Sequence, residues 1–331
     1  MEGTVTSHLA RSTTLDTIEP DLAALWREIA HEGPVARAVM SNLVVFRAAE
    51  RAQGGMADDT LDDVVARHPC RLIVLEHQRG APRVPPAFEV AIRIVTFGGE
   101  RARYGIEQIA VRSACAETCL PSIVRQLVRG DVPTSVWWME DVSQAPPLEP
   151  IVRMARQFVY DSRGWRDIRR ALPAVASLLR SGHRLDLSDM NWRRLTALRQ
   201  ALLNACTPAQ FEELARGHVR IVHCPGEASL AWLTVGWLAS RLHWEREIAP
   251  AVEEGPPGDA VLAVHVGGEP AHLSATLDGH DVMVKSTAGA APMTIPIRRE
   301  TRGEAVAEEL RNLSHDVCLH EAVRAAALFL Q

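Results

Sequence analysis

Apolar residues fall into two rhythms along the chain. Leu15, Ile18, Leu22, Leu25, Trp26 and Ile29 recur at spacings of three and four, which predicts an amphipathic helix starting near Pro20 and stopped by Gly33 and Pro34. Residues 40–47 (MSNLVVFR) are a β-branched run and read as a strand. Residues 58–68 place Leu61, Val64 and Val65 on one helical face behind a capped start, and residues 70–75 (CRLIVL) form a near-continuous apolar strand. Strand, helix and strand in that order make a βαβ unit whose sheet is covered on both faces. A Pro-rich loop at 80–86 leads to strands at 89–97 and 106–112. A helix at 117–129 with Pro121 in its first turn follows, then a buried strand at 133–139, a short helix through Arg153 and a strand at 157–161.

The second half changes character. Ile168, Leu172, Val175 and Leu179 predict a helix over 165–180, and Ser188 precedes another over 190–205. A third helix at 208–216, a strand at 219–223 and an apolar helix at 228–244 follow. Residues 250–258 read as a Glu/Pro/Gly linker. Short strands at 260–266, 271–277, 281–286 and 293–297 then form a meander, with a hairpin signal at Asp278-Gly279. The chain closes with an Ala-rich helix at 313–330, and residues 1–14 read as a frayed polar terminus. The expected fold class is α/β. Residues 1–165 form an N-terminal domain with a mostly parallel or mixed sheet and flanking helices. Residues 166–331 form a helix-rich α/β C-terminal domain with a small antiparallel meander.

Composition sharpens this picture by exclusion. The 36 basic and 41 acidic residues give a net charge of −5, which argues against nucleic-acid binding through bulk positive charge. Lys285 is the only lysine, and no GxxxxGK[ST] precedes it, so lysine-based phosphate cradles and Schiff bases are excluded almost entirely. The arginine excess fits the codon bias of a GC-rich genome, with a use for bidentate donors as the other reading. The apolar stretch 228–244 is short for a membrane span and carries Arg241 and His243, so it reads as a buried helix. The N-terminal stretch has no apolar core of about 7–15 residues, and the six cysteines form no disulfide framework. A cytoplasmic protein is expected.

No GxSxG, HExxH, GxGxxG or CxxC occurs in the chain. Cys115 and Cys119, four apart at a predicted helix start, make a redox pair or two packed thiols. The helix dipole there would lower a thiol pKa. His315 and Cys318 share a helix face but His320 leaves it, so no metal site is expected. Asp161, Ser162 and Arg163 lie past a strand end, either as a solvated loop or with Arg163 as a phosphate fork. Cys224, Pro225 and Gly226 lead into the apolar helix as an anion pocket or a plain turn. Trp137 and Trp138 must point to opposite sides of their strand. One therefore packs under a helix or on a partner.

Six segments, in order, carry a resemblance that goes further. They are HPCRLIVL (68–75), EQIAVRSA (107–114), LPSIVRQLVRGDVPTSVWWM (120–139), FVYDSRGW (158–165), LSDMNWRRLTALRQAL (187–202) and LTVGWLASRLHW (233–244). Together they resemble the OpcA family, the glucose-6-phosphate dehydrogenase assembly proteins of cyanobacteria, actinobacteria and some other bacteria. The resemblance implies no catalysis and no cofactor. It implies binding to glucose-6-phosphate dehydrogenase, promotion of its active oligomer and a raised affinity for glucose 6-phosphate. It makes Trp137, Trp138, Asp161, Ser162, Arg163, Asp189, Asn191, Trp192 and Arg193 candidate partner-binding residues. The chain departs from the family at Thr196-Ala197-Leu198-Arg199, where a proline-tryptophan pair is expected, and at Cys115 and Cys119. The other readings are a sugar-phosphate binder or enzyme at the two strand ends just named, and a redox sensor at the cysteine pair.

Overall fold

Alternation along the central strands divides the first sheet into two cores. Val44, Phe46, Ile73, Leu75, Val136, Trp138 and Phe158 face one layer, and Leu43, Val45, Leu72, Val74, Trp137 and Val159 face the other. The computed structural model describes residues 6–7, 10–51, 58–78, 80, 86–99, 102–180, 184–215, 218–244, 250–258, 260–268, 271–287, 291–313 and 315–331. Among them, the first sheet takes β1 (Thr6–Ser7), β2 (Arg11–Thr13), β3 (Ala36–Arg37), β4 (Asn42–Ala48), β5 (Arg71–His77), β6 (Ala87–Gly99), β7 (Ala102–Ala114), β8 (Thr134–Trp138), β9 (Gln157–Tyr160) and β10 (Asp186–Asp189). Between them run α1 (Ile18–Glu32), α2 (Asp59–Arg67), α3 (Leu120–Leu127), α4 (Glu149–Val152) and α5 (Ile168–Leu178). Most of the loop expected at 80–86 lies outside the described residues.

The strand order is β1-β6-β7-β5-β4-β8-β9-β10, with β2 beside β6 and β3 beside β7. Every neighbouring pair from β7 to β10 is parallel. The stretch β7-β5-β4-β8-β9-β10 is thus a doubly wound order, reversing between β4 and β8. Antiparallel β6 stands where a crossover helix would join β5 to β7. Helix α2 covers one face together with a later helix, α10 (Arg302–Arg311), and helix α1 lies on the other beside β6.

Downstream come α6 (Met190–Arg194), α7 (Thr196–Ala205), α8 (Pro208–Ala215), β11 (Val219–His223), α9 (Ala228–Leu242), β12 (Ala251–Glu254), β13 (Leu262–Gly268), β14 (Ala271–Leu277), β15 (Asp281–Ser286), β16 (Met293–Pro296), α10 (Arg302–Arg311) and α11 (Val317–Phe329). The second sheet runs β12-β11-β13-β14-β15-β16, antiparallel except for β12 on β11. The α/β class, the mixed first sheet and the meander stand as expected. The hairpin after β14 forms with Gly279 at φ 98° and Asp278 Oδ1 accepting from the His280 and Asp281 amides, both at 2.9 Å.

Five details differ from the sequence expectation. Residues 11–13, expected to fray, pair with β6. The stretch read as a linker contains β12, a mostly exposed edge strand of four residues, too short for a recognisable alternation. The single helix expected over 190–205 turns at Leu195 into α6 and α7. Helix α10 had no counterpart in the apolar pattern. The first sheet runs on past residue 165 to β10, and α10 and α11 return to pack on α2 and α5. Helix α9 crosses α11 so closely that a Cβ at Gly236 would collide with the Ala322 carbonyl, which explains glycine in a buried helix interior. No helix among the described residues is long and apolar enough to cross a membrane.

Candidate functional site at the carboxyl edge of the first sheet

Strand β9 ends at Tyr160 and β10 ends at Asp189, paired positions on neighbouring parallel strands. Beyond them the chain turns through Asp161, Ser162, Arg163 and Gly164 on one side and enters α6 on the other. The Asp189 carboxylate caps α6. Its Oδ1 accepts from the Asn191 amide at 2.9 Å and from the Ser162 amide at 3.1 Å. Asn191 Nδ2 bridges Ser162 Oγ at 3.2 Å and Ser229 Oγ at 3.4 Å, and the Ser229 hydroxyl donates to the Ser162 carbonyl. The Gly164 amide donates to the Gly226 carbonyl at 3.2 Å. Both turns need their glycines, at φ 72° for Gly164 and 84° for Gly226.

The two strand-end turns that the sequence kept apart, at 161–163 and 224–226, are therefore one structure. Glu227 welds it. Its carboxylate receives Arg194 through two bonds of 2.6 and 3.0 Å and Arg163 at 3.1 Å. This speaks for the plain-loop and plain-turn readings over the ligand readings at both places. Arg163 is not an open phosphate fork, and the anion at the start of α9 is the chain's own buried Glu227. Asp189 is the chemically distinctive member. Burial pushes its carboxyl up to about 7, Asp161 adds to the rise, and the bonds from Ser162 and Asn191 oppose it. Its Oδ2 and the Tyr160 hydroxyl are both buried without a hydrogen-bond partner among the described residues.

Other expected residues are elsewhere. Trp137 and Trp138 are 0% and 1% exposed, because helices cover both faces of the sheet. Trp138 stacks on Phe46 at 3.9 Å, and Trp137 lies beneath the Arg302 guanidinium. Neither offers a surface to a partner. Trp192 and Arg193 turn away from Asp189 toward an adjoining cavity. There Trp192 Nε1 donates to Asp316 at 2.8 Å, and Arg193 forks onto Glu300 at 2.9 and 2.8 Å.

Cys115 lies before the 3-10 turn Glu117–Cys119, and α3 starts only at Leu120, with Pro121 in its first turn. The shared helix face does not form. Burial first, and then the Cys119 thiol, push Cys115 up to about 11, opposite to the direction expected of a helix start. Iodoacetamide at pH 7.5 is expected to leave Cys115 unlabelled in the native protein and to label it after unfolding in urea, read by mass spectrometry. Rapid native labelling would contradict this. His315 and His320 approach to 4.1 Å, since His315 precedes α11. Burial first, then the neighbouring His315, push His320 down to about 4 as its Nε2 accepts from the Leu187 amide. Among the described residues no three candidate ligands cluster for a metal.

A second cluster at this edge went unseen in the sequence. At the β4/β8 reversal a cavity of about 510 Å³ is lined by Arg47, Asp58, Glu140, Asp141, Asp161 and Arg302. Asp58 Oδ1 accepts from the Thr60 and Leu61 amides at 3.0 and 3.2 Å, which closes the start of α2. Its Oδ2 meets Arg47 at 2.7 Å, and Arg47 also holds Glu76 at 2.7 Å. Glu140 accepts from the Ala48 amide at 2.7 Å.

Comparison with known proteins places these features. Residues 61–177 match a family model described as the glucose-6-phosphate dehydrogenase subunit N-terminal domain. Residues 185–323 match the corresponding C-terminal domain model. The chain belongs to the OpcA family. It is 25% identical over 249 residues to the OpcA protein of Nostoc punctiforme, covering 68% of this chain and 53% of that one. It is 25% identical over 194 residues to that of Synechococcus elongatus, covering 56% and 42%. Both relatives are named for the OxPP cycle. The chain spans about half the length of these OpcA relatives. Among solved structures it is similar to a super-repressor mutant of Gal80p from Saccharomyces cerevisiae, at 9% identity and TM-score 0.41 over 83% of this chain and 84% of that one. That likeness is too distant to bear on function. The motif string around Asp189, Asn191 and Trp192 thus falls in the C-terminal match. The Asp161 turn falls in the N-terminal one.

Proposed function

We propose that this OpcA-family chain is a non-catalytic partner of glucose-6-phosphate dehydrogenase, favouring its active oligomer and raising its affinity for glucose 6-phosphate. The observation that carries the reading is the chemistry of the β4/β8 crevice. A doubly wound sheet takes a dinucleotide there, with pyrophosphate on the amides that open the first helix. In this chain the Asp58 carboxylate already accepts from those amides, and Glu140, Asp141 and Asp161 line the same space. A pyrophosphate would find those amides already taken and four carboxylates in the space, with Arg47 and Arg302 engaged by Asp58 and Asp161 and Arg163 by Glu227, so the start of α2 does not fit a dinucleotide. The fold of a binding domain is kept while its ligand position is closed by the chain's own acids. The family descriptions, which name a dehydrogenase subunit, supply the partner.

The mechanism is linkage. A protein that binds the competent oligomer more tightly than other forms shifts the population toward it. Of the candidate contact residues, Arg163 is 62% exposed, whereas Ser162, Asp189 and Asn191 are buried and act by fixing the turn that presents it. We place the complex in the cytoplasm, where the cysteines stay as thiols. Size-exclusion chromatography of the chain mixed with its cognate dehydrogenase is expected to give co-elution, weakened by Arg163→Glu. Separate elution at micromolar concentrations would overturn the reading.

A further inference from the structure

A cavity of the second half lies between α6, α7 and the β16 edge of the second sheet, apart from the Arg163 turn. Its volume is about 630 Å³, in the range of small-molecule sites. Five guanidinium groups line it, from Arg193, Arg194, Arg199, Arg298 and Arg299, against the three carboxylates of Glu300, Glu309 and Asp316. That is a local positive excess in a chain of net charge −5.

The carboxylates are already committed. Arg193 holds Glu300 and also Glu309, the latter at 2.6 Å, and Trp192 donates to Asp316. Arg194 is bound by Glu227. Three cations remain. Arg199 lies over the Trp192 ring, 3.8 Å from its centroid. Its Nη2 reaches only the Thr196 hydroxyl, at 3.3 Å, and its Nε is buried with no acceptor among the described residues. Burial lowers its pKa, and the nearby Asp316 and Cys318 only partly offset this. Arg299 donates to His280 Nδ1 at 2.9 Å rather than to a carboxylate, and Arg298 comes no nearer than 4.0 Å to Glu308. A guanidinium with an open buried N–H is costly unless an acceptor arrives. The planar fork suits phosphate oxygens. Leu277, Ile295 and Ala197 supply an apolar wall beside it.

We propose that this cavity binds a small phosphorylated metabolite, with Arg199 and Arg299 donating to its phosphate oxygens and the rest of the molecule against the apolar wall. The cavity's size, about 630 Å³, favours a small molecule over an acidic peptide.

The test uses the full chain alone, without the dehydrogenase, at constant ionic strength set with chloride. Calorimetric titration with glycerol 3-phosphate is expected to give saturable binding, with inorganic phosphate weaker. Arg199→Met and Arg299→Gln are each expected to weaken it about tenfold or more. Arg153→Gln, just past the distant α4, is expected to leave it unchanged. If Arg199→Met does not fold by circular dichroism, the exposed Arg299→Gln decides. Heats no larger than chloride alone produces would overturn the proposal, as would unchanged binding in Arg299→Gln. Equal affinity for citrate would overturn the phosphate assignment, and binding of a poly-glutamate peptide alone would point to a macromolecule instead.

Discussion

Replacing Glu107 with Gln is expected to lower the free energy of unfolding by about 3–5 kcal/mol. Glu107 lies on β7 beside Arg71 of β5, and both side chains are 0% exposed. Arg71 also reaches Glu19 on α1, while Arg37 at 2.9 Å and Arg129 at 3.2 Å close on Glu107 from the other side. The Trp26 indole donates to the same carboxylate at 2.9 Å. Burial pushes this carboxyl up, but Arg71, Trp26, Arg37 and Arg129 outweigh it, so it sits below its usual range. The glutamine keeps the shape and leaves Arg71 buried with only the exposed Glu19. Loss of one partner is costly because the other charge stays desolvated. A folded pKa below 4.5 means the contribution is full at neutral pH and is lost as pH falls through that folded value. Urea denaturation at pH 7.5 measures it. Arg153→Gln, in an exposed i,i+4 pair, is the contrast, with an expected change within about 0.5 kcal/mol. A similar small change in Glu107→Gln would contradict the account.

The second large effect is a pH dependence. The Asp189 carboxyl has an ordinary value of 3.8 and is pushed up to about 7 in the fold. The fold therefore prefers the neutral acid. Its contribution is full below 3.8 and is lost as pH rises through 7. Each pKa unit corresponds to about 1.4 kcal/mol, so wild type should lose about 2–3 kcal/mol between pH 5 and pH 8 relative to Asp189→Asn. Asparagine retains the oxygen that caps α6 and removes the titration. His320, pushed down to about 4, loses its contribution as pH falls from 6.5, but it does so in both proteins and cancels in the difference. Denaturation series at pH 5, 6, 7 and 8 test this. Parallel curves would contradict it.

Much of the first sheet was legible because its strands are continuous apolar runs, and Asp58 announced α2 as a cap. The positions of Trp137 and Trp138 on opposite faces followed from alternation alone. What covers each face did not, since α10 comes from more than 150 residues downstream. Helix α10 carried a signal of its own, the Thr301 and Glu304 capping box, but its apolar stripe is two alanines, one valine and one leucine. The turn that joins Ser162, Asn191 and Ser229 assembles side chains 29 and 38 residues apart, a spacing with no local signature. Glu227 was invisible for the same reason, and it changes Arg163 from a ligand fork into one half of an ion pair. The arginine excess reads differently too. Arg47, Arg71, Arg93 and Arg193 each hold one or two carboxylates in the layers around the first sheet. Bidentate donors are in use there whatever the genome's codon bias.

The central claim is that this chain acts on a dehydrogenase rather than on a substrate. Its most direct test is the apparent KM of the cognate glucose-6-phosphate dehydrogenase for glucose 6-phosphate, measured across a titration of the purified chain. The account predicts that KM falls, by about fivefold or more, and saturates near a fixed stoichiometry. A KM unchanged at a severalfold molar excess of the chain would contradict it.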